Sequence, residues 1–249
     1  MDINILLLTA FIGLFSGFAS GFFGIGGGSI RIPLLTMVGF TLIAAYGMNL
    51  IALPVSSLMG AVSQRKNIDL HLGSYMVLGG VVGTVTGTLI VFDFGASAIL
   101  LAIIFLFVSI ISAIAMNMHS LAPSMSEDLS PSFNNMVSGT LVFNTLTGMR
   151  GGSEGSLFVP LQRLFNVEMH KAIATALFAA IFTSIAGVLL YWGHGHLLIL
   201  PGIIVLVGST IGSRIGSQFS LGTKSKWLEI GLTVLILILA GVPLLETQI

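Results

Sequence analysis

Long runs of apolar residues dominate the chain, and short polar or glycine-rich breaks separate them. A helix needs about 20 predominantly apolar residues to cross the hydrocarbon core of a bilayer. Two shorter segments, Gly28–Gly39 and Gly155–Phe165, follow glycine-rich breaks and predict short helices. Eight longer runs each predict a membrane-spanning helix: Ile3–Phe22, Thr41–Ser63, Leu70–Phe92, Ala96–Asn117, Phe133–Thr147, Met169–Tyr191, Leu197–Phe219 and Trp227–Leu245.

The composition restricts the class of protein. Of 249 residues, 55% are hydrophobic and only 7% are charged, whereas a soluble domain carries about 25% charged residues. We therefore expect an all-α integral membrane protein. Asp2 stands where a signal peptide would carry basic residues, which predicts that the first helix is retained.

Charge and cysteine counts narrow the partners and cofactors. Nine basic residues balance nine acidic ones, which argues against nucleic acid as a partner. The lack of cysteine excludes a disulfide framework and a Cys-ligated metal site. We expect no cofactor, and the expected partners are the lipid bilayer, a small anionic substrate and, in a homodimer, a second copy of the chain.

The two halves of the chain share a motif. Gly21–Pro33 and Gly148–Pro160 both fit GxxGxxxGSxxxP, 127 residues apart, and the same spacing relates Ser57 to Ser184 and Gly60 to Gly187. With two further residues of shift, a GxxxGxxxG pattern pairs in the same way: Gly79, Gly83 and Gly87 with Gly208, Gly212 and Gly216. This order predicts a duplication, with an N-terminal repeat over 1–118, a polar linker over 119–132 and a C-terminal repeat over 133–249.

The basic residues favour one orientation of the two halves. If each half has about five membrane elements, including the short segment, the repeats are inverted. Five basic residues outside the spans then lie on one side of the membrane: Arg65, Lys66, Lys171, Lys224 and Lys226. The positive-inside rule makes this side cytoplasmic, which places both termini outside. With four elements per half, the repeats would be parallel and these residues would be divided. The inverted arrangement depends on the short segments crossing rather than re-emerging on the side they started from.

The glycine-rich breaks are the strongest pointers to a binding site. Irregular backbone inside a membrane is tolerated where protein or a water-filled cavity satisfies its polar groups, and matching breaks in two halves indicate a transporter's binding site. Each break precedes a short helix whose N-terminal N–H groups suit an anion. For Gly79, Gly83 and Gly87 and their counterparts, close helix packing is the favoured interpretation instead.

Three arginines occur in or near the breaks or within a span. Arg31 and Arg150 adjoin the breaks, and Arg214 interrupts a glycine-rich span. An arginine inside a membrane costs about 2.5–3.5 kcal/mol on insertion scales and is usually functional. Together these residues would form a positive field for an oxyanion. The alternatives are snorkelling or a carbonyl bridge for Arg31 and Arg214, and a local pair with Glu154 for Arg150.

Polar side chains on neighbouring spans could complete an anion site, although hydroxyls in helices often only bond the preceding turn. The candidate substrate-binding residues are Gly26, Gly27, Gly28, Ser29, Arg31, Asn49, Ser57, Arg150, Gly151, Gly152, Ser153, Glu154, Ser156, Thr175, Ser184 and Arg214.

The glycine motif, its second copy and the length of the chain resemble the TauE/SafE sulfite-exporter-like membrane transporters. Gly26–Ser29 and Pro33 match the first copy of the motif, and Gly151, Gly155, Ser156 and Pro160 match the second. The resemblance implies transport of sulfite, thiosulfate or organosulfonates across a bacterial or archaeal cytoplasmic membrane, with no enzymatic cofactor. Ser153 and Glu154 replace the glycine pair in the second copy, which raises a role for Glu154 in proton coupling.

Two other functions compete with a secondary transporter that works by alternating access. A passive anion channel would use the same cavity without a coupling ion. An intramembrane serine hydrolase would use Ser153, because Gly151–Gly155 fits GxSxG. That match lacks the strand-to-helix context of the motif, and no histidine in an apolar span could act as base, so we expect a transporter and not an enzyme.

Overall fold

The computed structural model describes residues 3–95, 98–117, 130–149 and 157–246. Over these residues the chain forms α-helices and no strand, apart from a short 3₁₀ turn at Arg65–Asn67. The ten helices are α1 Ile3–Phe23, α2 Gly28–Met37, α3 Leu42–Ser63, α4 Leu70–Phe94, α5 Ala98–Met116, α6 Phe133–Gly148, α7 Phe158–Leu164, α8 Met169–Gly193, α9 Ile199–Gly222 and α10 Ser225–Glu246.

The predicted spans and the observed helices agree closely. Each of the eight long runs coincides with one helix, and the ends differ by no more than three residues. Five helices in the described part of the chain are long and apolar enough to cross a membrane, namely α1, α3, α4, α8 and α9. Large apolar side chains cover their outer surfaces while serines and threonines lie inside. The prediction of an all-α, multi-pass membrane protein is confirmed.

Local capping explains where several helices begin. The Thr41 side chain accepts a hydrogen bond from the third residue into α3, Asp69 does the same for α4, and Glu168 accepts two backbone N–H groups at the start of α8. Such caps satisfy N–H groups that have no acceptor within the helix. Thr41 and Glu168 are 127 residues apart, so the spacing of the sequence motif also relates the starts of α3 and α8.

The packed pairs reveal the direction of each helix. Along α1 and α9, Gly13 faces Val205 and Gly17 faces Ser209, so the residue numbers rise together and the two helices are parallel. The α3 helix runs in the same direction. Its residue Gly47 meets His196, which lies just before α9, and Gly60 further along meets Ser213 within α9.

A second group of helices runs the opposite way. Along α4 and α6, Gly79 faces Val137 and Gly83 faces Leu141, so these helices are parallel to each other. Contacts between α4 and α8 also rise together, from Asp69 with Lys171 to Gly80 with Thr183. The α3 and α8 helices link the groups and are antiparallel.

The contact between α3 and α8 is reciprocal. A Cβ at Gly60 would lie 2.9 Å from the Leu177 side chain, and one at Gly187 would lie 2.7 Å from the Leu50 side chain. Leu50 and Leu177 are 127 residues apart, as are Gly60 and Gly187. Two such matched contacts between antiparallel helices are what a local two-fold axis produces. Because equivalent helices of the halves run oppositely, the packing supports inverted repeats, which stay a prediction together with the proposed domain boundaries.

The glycine zippers are packing devices. A Cβ at Gly83 would meet the Leu141 carbonyl oxygen and would lie 2.9 Å from the Thr145 backbone nitrogen. A Cβ at Gly208 would lie 2.5 Å from the Ala10 carbonyl oxygen. Backbones this close leave no room for any side chain, which agrees with the packing interpretation of both glycine series.

Candidate functional site

The first glycine break is a left-handed stretch of backbone between α1 and α2. Gly24, Gly26 and Gly27 have φ angles of 75°, 75° and 78°, a conformation that glycine adopts without steric cost. The α1 helix ends where the Gly24 N–H donates to the Ser20 carbonyl oxygen. Gly27 then caps α2, and its carbonyl oxygen accepts from the Arg31 N–H at 2.9 Å.

Arg31 lies one turn into α2 and is fully buried, with 0% of its surface exposed. Its Nε donates to Ser16 Oγ of α1 at 3.0 Å, and its Nη1 donates to Asn49 Oδ1 of α3 at 2.8 Å. The Asn49 carbonyl oxygen accepts a longer bond of 3.3 Å from the same Nη1. Ser16 Oγ in turn donates to the Ile12 carbonyl oxygen. These bonds orient the guanidinium between α1 and α3.

The guanidinium also lies against the break. A Cβ at Gly27 would be 3.1 Å from Arg31 Nη2 and 2.7 Å from the Ser16 carbonyl oxygen. The first turn of α2, which includes Gly28 and the buried Ser29, begins at this point. The break, the helix start and the arginine, all predicted from the sequence, therefore come together.

Two residues of α3, Asn49 in this cluster and Ser57 about two helical turns further along, carry buried polar groups without a partner among the described residues. Asn49 and Ser57 are both 0% exposed. Asn49 Nδ2 and Ser57 Oγ have no hydrogen-bond partner among the described residues. A buried polar group without a partner is costly unless a ligand or water satisfies it.

The structure does not bring the other described candidates to Arg31. Thr175 Oγ1 accepts from the Asp69 N–H at 3.0 Å, at the start of α4. Ser184 Oγ donates to the Ala180 carbonyl oxygen one turn back in α8, which is the structural role that hydroxyls often take. Arg214 is exposed on α9, outside the face that packs on α1 and α3. The expectation that Arg214 faces the same cavity as Arg31 therefore needs correction.

The second break falls outside the described residues, so its candidates remain predictions: Arg150, Gly151, Gly152, Ser153, Glu154 and Ser156. The described positions around it differ chemically from the first half. The equivalents of Ser16, Arg31 and Asn49 are Phe143, Phe158 and Ala176. Of the two equivalent clusters, only the one in the first half is polar at these positions.

Sequence reasoning missed Ser16, which holds Arg31 from α1. Ser16 stands one residue before Gly17 of the face that packs on α9. The position of Ser16 on a glycine-rich span next to a break could have marked it as a candidate. Serine is common in such helices, however, so its presence alone did not distinguish it.

The side of the molecule at the start of α4 and α8 carries ion pairs. Lys171 Nζ lies 2.8 Å from Asp69 Oδ2, and Arg163 Nη2 lies 2.6 Å from Glu229 Oε1. Burial alone would raise the pKa of Asp69, but the hydrogen bonds from Lys171 and from the Leu72 N–H lower it below its ordinary value. The pKa of Glu168 is also lowered, because its bonds with two backbone N–H groups outweigh its burial.

No group of three or more His, Asp or Glu side chains that could hold a metal ion occurs among the described residues.

Comparison with known proteins shows which family the chain belongs to. The family model described as "Sulfite exporter TauE/SafE" matches residues 9–242, which is nearly the whole chain. The chain belongs to the TauE/SafE sulfite exporter family. It is therefore a membrane transporter of that family, and the resemblance noted in the glycine motif is confirmed.

Two relatives agree with this TauE/SafE assignment. The "Probable membrane transporter protein YjnA" of Bacillus subtilis (strain 168) is 26% identical over 236 residues, which cover 88% of this chain and 91% of the relative. A "Probable membrane transporter protein" of Xylella fastidiosa (strain 9a5c) is 31% identical over 106 residues, or 41% of each chain. No solved structure matches the chain.

Proposed function

We propose that this protein is a secondary transporter that moves a small sulfur oxyanion, such as sulfite, thiosulfate or an organosulfonate, by alternating access. The observation that carries the proposal is Arg31, a fully buried arginine fixed against a glycine break at the start of a helix. The family model contributes the sulfur oxyanion as the substrate class.

The chemistry of the cluster suits a tetrahedral or pyramidal oxyanion. A guanidinium binds oxyanions with directed N–H groups, and low polarity around it strengthens each charged hydrogen bond. The first-turn N–H groups of α2 and the dipole of that helix favour negative charge at the same place. Asn49 Nδ2 is a buried donor beside the guanidinium that lacks an acceptor in the described part of the chain.

The packing of the helices supports alternating access between inverted halves. Equivalent helices run in opposite directions, and the α3–α8 contact repeats itself under exchange of the halves. In transporters built from inverted repeats, the site lies near the interface of the repeats, and rocking of one half against the other exposes it to each side in turn.

Flux of radiolabelled sulfite into proteoliposomes tests the proposal, with Arg31→Gln as the variant and Arg214→Gln as its control. Both changes remove one arginine from a membrane helix, but Arg31 is buried at the break while Arg214 is exposed. Loss of one charged hydrogen bond costs about 1.5–3 kcal/mol, so we expect Arg31→Gln to weaken apparent sulfite affinity by about tenfold or more. Arg214→Gln should leave it unchanged.

Equal affinity in wild type and Arg31→Gln would contradict the proposal. The same vesicles separate a carrier from a channel. A carrier coupled to protons concentrates sulfite when a pH gradient is imposed, whereas a passive channel only equilibrates it.

A further inference from the structure

Three helices of the fold meet in a buried polar region that lies next to Arg31. We call it the α1–α3–α9 junction and define it by Ser20 and Gly21 of α1, Ser57, Gly60 and Gln64 of α3, and Ser213 and Ser217 of α9. A Cβ at Gly60 would lie 3.0 Å from Ser213 Oγ and 3.1 Å from Ser217 Oγ, and one at Gly21 would lie 2.7 Å from Ser217 Oγ. These contacts join the three helices at one place.

Three side chains of the junction are buried without their full set of hydrogen bonds, whereas Ser213 donates to the Ser56 carbonyl oxygen and Ser217 to the Ser213 carbonyl oxygen. Ser20 Oγ and Ser57 Oγ have no partner among the described residues, although both residues are 0% exposed. Gln64 is 1% exposed and donates from Nε2 to the Gly21 carbonyl oxygen at 3.3 Å, but its Oε1 has no donor there. Each unsatisfied polar group costs about 1–3 kcal/mol, so a junction that served only packing would be better built from alanine.

The junction leads from the arginine toward the basic side of the molecule. Ser20 is one helical turn beyond Ser16, the residue that holds Arg31, and Gln64 is the last residue before the basic pair Arg65 and Lys66. The α9 helix ends beside Lys224, on the same side as α3 because the two helices are parallel. Positive charge at the mouth of such a path raises the local concentration of anions.

We infer that the α1–α3–α9 junction is the path by which the small anion passes between the Arg31 site and the basic side, with Gln64 closing it in the conformation described. This inference rests on the proposed function. When the path opens, anion and water would satisfy the hydroxyls and the Gln64 amide that now lack partners. Gln64 closes the path because its side chain bridges α3 to the backbone of α1.

The other half of the chain retains the same hydroxyl pattern. At the equivalent positions of Ser20, Ser57, Ser213 and Ser217 stand Thr147, Ser184, Thr84 and Thr88. Thr84 Oγ1 is likewise buried without a partner among the described residues, and a Cβ at Gly148 would lie 2.9 Å from the Thr84 carbonyl oxygen. The other three have partners in the described part of the chain: Ser184 donates to Ala180, Thr88 to Gly148 and Thr147 to Asn144. In this half, which carries Phe158 at the position equivalent to Arg31, Thr84 alone of the four repeats the unpartnered state of Ser20 and Ser57.

Thiol labelling tests the path directly, because the chain holds no cysteine of its own. The reporter is Ser57→Cys, and the matched control is Leu58→Cys, whose position is 46% exposed on the outer surface of the same helix turn. An anionic sulfonatoethyl methanethiosulfonate and its cationic trimethylammonium analogue are added to the basic side of proteoliposomes. Each rate is divided by that reagent's rate with 2-mercaptoethanol.

We expect the anionic reagent to label Ser57→Cys about tenfold faster than Leu58→Cys, because a thiol reacts as thiolate and needs water to ionise. The cationic reagent should show a smaller preference. Adding Gln64→Ala to Ser57→Cys should raise its anionic labelling rate further. If Ser57→Cys folds poorly, Ser20→Cys replaces it as the reporter. We expect the anionic reagent to label Ser20→Cys faster than Leu58→Cys in the same way.

Equal normalised rates at Ser57→Cys and Leu58→Cys, or a preference for the cation, would overturn the inference. That result would leave the proposed function intact if Arg31→Gln still weakened sulfite flux. Conversely, fast anionic labelling together with unchanged flux in Arg31→Gln would support the path and contradict the role of Arg31.

Discussion

Arg31 shows what a single residue can reveal in a chain with so little charge. Its hydrogen bonds to Ser16 of α1 and Asn49 of α3 go to neutral oxygens. They fix the orientation of the guanidinium, and no rotamer entropy then has to be lost when an anion binds. The neighbouring Gly26 and Gly27 adopt positive φ angles. Because glycine has no side chain, their backbone can approach the guanidinium closely.

Gly27 should be more sensitive than another glycine of the same conformation. Gly27 and Gly39 both have positive φ, so alanine costs about 1–2 kcal/mol of backbone strain at either position. At Gly27 the new methyl group would also press on Ser16 and Arg31, whereas nothing lies within 4 Å at Gly39. We expect Gly27→Ala to weaken sulfite affinity in the flux assay by about tenfold, and Gly39→Ala to lower only the midpoint of thermal unfolding. Similar affinities in the two variants would show that Arg31 tolerates displacement.

The sequence singled out Arg31 beside the first break, where the structure buries it, but it also grouped with it Arg214, which the structure leaves exposed. Arg214 is two residues from both Gly212 and Gly216, and two residues rotate a helix by about 200°. It therefore faces away from the glycine face of α9, and the helical period could have revealed this. The partners Ser16 and Asn49 could not be predicted, because their contacts with Arg31 span 15 and 18 residues and depend on how three helices pack.

At the scale of the helices, the sequence predicted the ends of the eight long helices to within three residues. Uncharged runs define the spans, and caps such as Thr41 and Asp69 define the starts. The pairing of α1 with α9 and of α4 with α6 was not predicted, because glycine zippers indicate close contact without naming the partner.

The start of α4 should make stability depend on pH. The pKa of Asp69 is lowered in the folded protein, so its contribution is present above the unfolded pKa and is lost as the pH falls through the folded pKa. Asp69→Asn keeps a capping side chain but loses the ion pair with Lys171. We expect the thermal midpoint to fall by about 1–3 °C at pH 7. The difference should shrink as the pH falls below about 4, the unfolded pKa, and vanish once the pH is below the lowered folded pKa.

Thermal unfolding of the detergent-solubilised protein, followed at several pH values, measures this difference. Lys171→Gln is the partner control and should lose its effect over the same range of acid pH. A difference between wild type and Asp69→Asn that stays constant from neutral to acid pH would contradict the role assigned to the ion pair.

At the scale of the whole molecule, the helix directions bring the basic residues to one side. The ends of α3 and α9 and the start of α8 lie together, which groups Arg65, Lys66, Lys171 and Lys224 with Lys226. The opposite side carries Phe92 stacked on His194, with ring centroids 4.2 Å apart. The sequence predicted this grouping of the basic residues from an inverted arrangement of the halves, which itself stays a prediction.

Sidedness can be measured with two single cysteines. Lys226→Cys on the basic side should react with an impermeant reagent only in inside-out vesicles, by the positive-inside rule. His194→Cys should react only in right-side-out cells. Labelling of both variants from the same side would contradict the inverted arrangement, and Leu58→Cys, which faces lipid, controls for leakage of the reagent.

The central claim is that Arg31 and the first glycine break hold the transported anion. A crystal structure with selenite, a heavier analogue of sulfite, measures the position of the anion by its anomalous scattering. We expect the anomalous peak within about 4 Å of the Arg31 guanidinium, at hydrogen-bond distance from its nitrogens. A peak more than about 10 Å, one helix diameter, from Arg31 would contradict the claim.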